Sequence, residues 1–156
     1  MICTAAGAVF SSALERRCAQ LQSISALIDE MSVKIRYRSV RLPELVREIS
    51  EESAYSGCSF VEILSENIEG GMRINDAWSD SAERASFLSE SDRDILKNMS
   101  GQLGNSDTDG QLALFASCGS LLMRSINEAE SERDRKAKTI FGVWTLCGIG
   151  VGIILI

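Results

Sequence analysis

The sequence predicts an all-α protein, a bundle of about six helices whose last helix continues into a C-terminal transmembrane segment. Apolar residues recur at steps of three and four along most of the chain, which is the spacing of one face of an α-helix. No stretch alternates apolar and polar residues over the length of a strand, and no Asn-Gly hairpin turn occurs. The final 18 residues contain no charged side chain.

The first helix is predicted over about residues 8–37. Its apolar stripe consists of Leu14, Cys18, Leu21, Ile24, Ile28, Met31 and Ile35. Residues 39–42 interrupt this pattern. Pro43, the only proline, then suits the first turn of a second helix, because its missing N–H costs no hydrogen bond there. The apolar face of the second helix consists of Leu42, Leu45, Val46 and Ile49.

The third and fourth helices are short. A turn at residues 55–57 precedes the third helix, and the two glycines at residues 70–71 end it. Apolar residues within 74–78 mark the fourth helix. The fifth has two candidate N-caps, Ser89 and Ser91, and residues 91–94 resemble a capping box.

The sixth helix follows a turn at residues 104–107, which contains a glycine suited to a helix C-terminus and then new N-cap residues. Its first apolar residue is Leu112, and no helix breaker separates it from the uncharged tail. We therefore expect one continuous helix that passes from the bundle into the membrane.

The charge pattern divides the chain into three segments. Residues 1–14 form an apolar N-terminal segment, residues 15–138 a cytoplasmic helical domain, and residues 139–156 a transmembrane helix. At helical rise the tail is about 27 Å long, close to the bilayer hydrocarbon thickness of about 30 Å. The alternative is a helix buried in a protein core. The N-terminal segment is too short to span, so it is either an interfacial segment or the remnant of a longer membrane helix.

A basic flank precedes the tail: Arg133, Arg135, Lys136 and Lys138. By the positive-inside rule this flank places the domain on the cytoplasmic side of the cell membrane. Two glycines in the tail are spaced for close helix contact. The residues expected in the membrane include Phe141, Trp144, Gly148, Gly152 and Ile156.

Composition excludes several classes of function. The net charge of −6 argues against nucleic-acid binding, because phosphate contacts need an excess of basic residues. The absence of histidine removes Ser-His-Asp and Cys-His catalysis and the usual zinc sites. The five cysteines have no CxxC spacing, and no P-loop is present. We therefore predict a protein that is not an enzyme and needs no cofactor or metal.

A cluster of basic residues is the main candidate for partner binding. It comprises Lys34, Arg36, Arg38, Arg41 and Arg47, with Glu44 as the only acid in that stretch. Such a cluster suits an acidic partner surface or anionic lipid headgroups. The alternative is an ordinary solvated face.

The ordered pattern of the chain resembles the stage III sporulation protein AB family. The matching stretches are residues 27–30, 35–37, 42–45, 75–78 and 103–107 with Gln111, followed by the apolar tail. Family members usually have a membrane helix at each end, and residues 1–14 depart from that pattern.

The resemblance implies an all-helical domain similar to those of the inner-membrane platform protein of type II secretion. It implies a place in the channel complex between mother cell and forespore, at the mother-cell membrane. The implied partners are other channel proteins and a secretion-type ATPase similar to stage III sporulation protein AA, and a homo-oligomer is left open. A tail-anchored helical adaptor unrelated to secretion is the alternative function.

Overall fold

The computed structural model describes the backbone of residues 2–38 and 41–154 and the side chains of residues 12–37 and 41–135. Within these ranges the chain forms six α-helices, one 3-10 turn at Ser53–Tyr55 and no strand, as the sequence predicted. The helices are α1 (Ile2–Arg38), α2 (Leu42–Ser50), α3 (Ser59–Glu69), α4 (Ile74–Arg84), α5 (Glu90–Ser100) and α6 (Thr108–Ile154).

Each helix packs against its neighbours in sequence, and the last helix packs back against the first. The interface between α1 and α6 is the most extensive in the bundle. Gln22 of α1 donates a hydrogen bond to Glu130 of α6. Further along the same two helices, Ile35 of α1 and Gln111 of α6 line one groove. The start of α1 and the end of α6 therefore belong to one end of the bundle. The opposite end, where α1 ends and α6 begins, is called the distal end.

The core fills the space between these helices with the apolar stripes that the sequence predicted. Leu21, Ile24 and Ile28 of α1 are fully buried. Trp78 of α4 packs edge-on against Phe60 of α3, with 5.0 Å between the ring centroids. Such aromatic pairs contribute about 1 kcal/mol beyond the area that they bury.

A buried ion pair joins α1 to the start of α5. The Arg17 guanidinium donates to both carboxylate oxygens of Asp92, at 2.8 Å and 3.0 Å, and also to the Ser89 hydroxyl. Ser89 and Asp92 form the capping box of α5, so Ser89 is the N-cap and residues 91–94 are not the box. Burial alone would raise the pKa of Asp92, but the hydrogen bonds from Arg17 and Ser89 outweigh it and hold that pKa below its ordinary value.

The membrane prediction concerns residues beyond the described side chains. Among the described residues, no helix is long and apolar enough to cross a bilayer. Phe141, Trp144, Gly148, Gly152 and Ile156 lie outside the described side chains. The helix α6 continues without a break past residue 138, as the sequence predicted, and the membrane span itself stays a prediction.

Candidate functional site

A groove of about 410 Å³ opens at the distal end, and we call it the distal groove. Its floor is apolar and consists of Ile35, Leu42, Pro43 and Ile74. Its rim is polar and includes Arg41, Ser106, Thr108 and Gln111. Three of the stretches by which the chain resembles its family, residues 35–37, 42–45 and 103–107, contribute to this one groove.

Gly104 closes one side of the distal groove and must be a glycine. Its backbone has a φ of +72°, in the left-handed region that side chains rarely adopt. A β-carbon at this position would lie 3.8 Å from Leu42 Cδ1 and 3.9 Å from Ile74 Cγ2. These are ordinary van der Waals distances, so the backbone conformation and not a lack of space requires the glycine.

The N-terminus of α6 is built on the same turn. The side chain of Asp107 accepts a hydrogen bond from the Gly110 amide at 3.0 Å, which caps the helix. The Asn105 side chain donates to the Gly101 carbonyl at 2.9 Å and ties the turn to the end of α5. These contacts place Ser106, Thr108 and Gln111 along one edge of the distal groove.

Gln111 is the unusual side chain of this site, because it is only 5% exposed and half of its amide lacks a partner. Its Nε2 donates to the Gln102 carbonyl at 3.1 Å and to the Ser106 hydroxyl oxygen at 2.7 Å. The Gln102 carbonyl can only accept, so it fixes the amide orientation. The buried Oε1 has no hydrogen-bond partner among the described residues, which costs about 1–3 kcal/mol.

The predicted basic cluster does not form one positive surface. Lys34 contacts three carboxylates, from Glu30 at 2.8 Å, Glu48 at 3.3 Å and Glu52 at 3.4 Å. The hydrogen bond to Glu30, with smaller contributions from the other two, raises the pKa of Lys34. Lys34 therefore belongs to a mixed-charge cluster that includes residues distant from it in the chain.

The other cationic residues of the cluster have different surroundings. Arg47 donates to the Ile68 carbonyl at 3.3 Å and so links α2 to the end of α3. Arg36 and Arg41 are exposed, and neither side chain forms an ion pair with the described residues. The side chain of Arg38 lies outside the described residues. Among the members of the set whose side chains are described, Arg41 alone lines the distal groove.

A second groove, of about 540 Å³, lies between α2 and α3 and is acidic. Its glutamates are Glu51, Glu52, Glu62, Glu66 and Glu69. Tyr55 also lines it and donates a hydrogen bond of 2.7 Å to Glu30. The described residues contain no cluster of side chains that could hold a metal ion.

The described cysteines show no sign of reactivity. Cys18, Cys58 and Cys118 are free and buried. Burial raises the pKa of the Cys118 thiol to about 12, so this thiol stays protonated at neutral pH. Sequence reasoning found Arg41 as a candidate but missed the role of Gln111, since only the fold shows which side chains are left without partners.

Comparisons with known proteins agree on one family. The family model described as stage III sporulation protein AB matches residues 1–156, which is the whole chain. Among solved structures, "Stage III sporulation protein AB (SpoIIIAB)" is similar, with a TM-score of 0.65 and 21% sequence identity. The match covers 77% of this chain and 98% of that one, and at this identity it shows a shared fold. No curated protein sequence matches the chain.

Proposed function

Because the chain belongs to the stage III sporulation protein AB family, a family of sporulation proteins, we propose that it is a membrane-anchored platform of the channel complex between mother cell and forespore. In this role it is not an enzyme. It presents its distal end to a cytoplasmic secretion ATPase similar to stage III sporulation protein AA.

The observation that carries this proposal is the antiparallel packing of α1 and α6. The two uncharged segments of the sequence, residues 1–14 and 139–156, belong to the start of α1 and the end of α6. Both segments therefore point to one end of the bundle, and the distal groove opens at the other. A platform needs this separation, because its anchor must not obstruct its docking surface.

The orientation of the platform follows from the basic flank at residues 133–138. The positive-inside rule keeps such a flank on the cytoplasmic side, which leaves the distal end in the mother-cell cytoplasm. Anchoring raises the effective concentration of the docking surface near the other channel proteins. Arg36 and Arg41 supply the exposed positive charges for an acidic partner surface.

A pull-down tests the docking role with the full chain in detergent micelles and the purified AA-like ATPase. The variant with Arg36, Arg38 and Arg41 all changed to Glu should retain about one tenth of the bound ATPase or less, because charge reversal turns attraction into repulsion. Equal capture by this variant and the native chain would exclude docking through the basic residues of the distal end.

A matched variant controls for net charge. It carries Arg16→Glu, Arg84→Glu and Arg124→Glu. Arg84 and Arg124 are 54% and 79% exposed and form surface ion pairs, and Arg16 is exposed near the start of α1, away from the distal end. This variant has the same change in charge and should capture the ATPase as well as the native chain does. An equal loss in both variants would point to a general charge effect and overturn the specific role.

A further inference from the structure

We infer that the distal groove binds an extended segment of a partner protein that carries an aliphatic side chain beside a carboxylate. This inference rests on the proposed docking role and names the chemistry of the segment that docks. Three features of the groove specify the segment: its floor, a hydroxyl donor on one edge, and an exposed arginine on its rim.

The floor selects an aliphatic side chain. The side chains of Ile35, Leu42, Pro43 and Ile74 offer only apolar atoms to an occupant. The volume of about 410 Å³ accommodates one or two aliphatic side chains and not a whole helix. A flexible segment in extended conformation suits such a short groove.

The edge offers a hydrogen-bond donor to a peptide carbonyl. The exposed Ser106 hydroxyl oxygen already accepts from Gln111 Nε2 at 2.7 Å, so its proton is available for a backbone carbonyl of the segment. Gln111 positions this hydroxyl from beneath the surface, because its own unpaired Oε1 is buried and an occupant does not reach it.

The rim selects a negative charge. Arg41 is exposed at the groove and forms no ion pair with the described residues. The N-terminus of α6 is not the anion site, because Asp107 caps it and Asp109 lies in its first turn. A carboxylate on the segment is thus expected at Arg41, where it would gain a bidentate partner.

Peptide binding to the full chain in detergent micelles tests the inference. The probes are three pools of fluorescent octapeptides with mixed Gly, Ser and Thr flanks. The first pool contains Leu and Glu within two positions of each other, the second has Lys in place of Glu, and the third has Asn in place of Leu. Fluorescence anisotropy should show that the first pool binds about tenfold more tightly than the others.

Variants assign the binding to the groove. Arg41→Glu should weaken the first pool about tenfold and favour the second, whereas Arg124→Glu, on the exposed face of α6, should change neither. Gln111→Leu should weaken the first pool about fivefold, because it removes the amide that positions the Ser106 hydroxyl. Thr108→Phe should block the groove, and Ala113→Phe, exposed on the same helix, is its control.

Several results of these experiments would contradict the inference. Equal binding of the three pools, or binding that Arg41→Glu and Thr108→Phe leave unchanged, would overturn the inference. If Thr108→Phe instead dissociated an oligomer of the chain in sedimentation, the occupant would be a second copy and the inference would also be wrong. Failure of the peptides with normal ATPase capture rejects the groove chemistry alone, whereas loss of charge-dependent ATPase capture rejects the proposed function.

Discussion

The two buried glutamines of the bundle differ in how completely their side-chain amides are hydrogen-bonded. Gln20 is 7% exposed and all of its amide is used: Nε2 donates to the Gly57 carbonyl at 2.8 Å, and Oε1 accepts from the amide and hydroxyl of Ser59. Gln111 is equally buried, yet its Oε1 is unpaired. Gln20 therefore has both ends of its amide hydrogen-bonded within the fold, whereas Gln111 leaves a buried acceptor without a partner near the distal end.

Charged residues at the two ends of the bundle also differ in whether they have partners within the fold. Arg17 and Asp92, in the part of the bundle nearer the start of α1, form a closed set of hydrogen bonds with Ser89. Arg41, at the distal end, forms none of this kind within the described chain. A buried polar atom without a partner costs stability, and among the described side chains Gln111 Oε1 shares this state with Trp78 Nε1 in the core and Arg93 Nε in α5.

The largest effect is expected from Asp92→Ala. This change leaves the Arg17 guanidinium, 18% exposed, without its carboxylate and removes the capping box of α5. The free energy of unfolding should fall by about 3 kcal/mol. Chemical denaturation of the full chain in micelles, followed by circular dichroism, measures the loss. A change below about 1 kcal/mol would show that the pair is not structural.

The pH dependence of stability provides a control for the same pair. The folded pKa of Asp92 lies below its unfolded value, which is about 3.9. The stabilising contribution of ionised Asp92 is therefore complete above about pH 4, and it is lost as the pH falls through the lower pKa that Asp92 has in the folded protein. Asp92→Asn should flatten this acid limb of the stability curve, and an unchanged limb would assign it to other carboxylates.

A matched pair of substitutions tests the comparison of the glutamines directly. Gln20→Leu leaves the Gly57 carbonyl and the Ser59 amide without partners and should destabilise the bundle by about 2 kcal/mol. Gln111→Leu also removes the unpaired oxygen, so its cost should stay below about 1 kcal/mol. Denaturation midpoints compare the two variants, and equal losses would contradict the distinction.

A small effect on docking is expected from Lys34→Met. The side chain of Lys34 is 16% exposed and separates three carboxylates, so its removal should cost about 1 kcal/mol of stability. Because the charge of Lys34 is already balanced by these carboxylates, the variant should capture the ATPase as the native chain does in the pull-down. A loss of capture similar to that of the triple variant of Arg36, Arg38 and Arg41 would restore Lys34 to the docking surface.

The helices could be predicted from the sequence because their apolar spacing is a local property. The six helices and the turn before α6 follow from steps of three and four and from glycine and proline positions. The capping box was placed two residues late, since residues 89–92 and 91–94 both fit the pattern. Only the contact of Asp92 with Arg17, 75 residues away in the chain, distinguishes them.

The candidate site was predictable only in part, because its chemistry depends on residues that are distant in sequence. Lys34 belonged to a basic cluster by sequence, but Glu48 and Glu52 approach it through the packing of α2. Arg41 and Gln111 meet at one groove although 70 positions separate them. No periodic pattern indicates which buried amide will lack a partner.

The helix α6 has a mechanical consequence beyond its place in the bundle. Its 47 residues from Thr108 to Ile154 form a rod about 70 Å long. The first turn of this rod lines the distal groove, so the groove and residue 154 lie at opposite ends of one helix. A rotation of the whole rod by about 5° about its first turn would displace the other end by about 6 Å, roughly one helical turn.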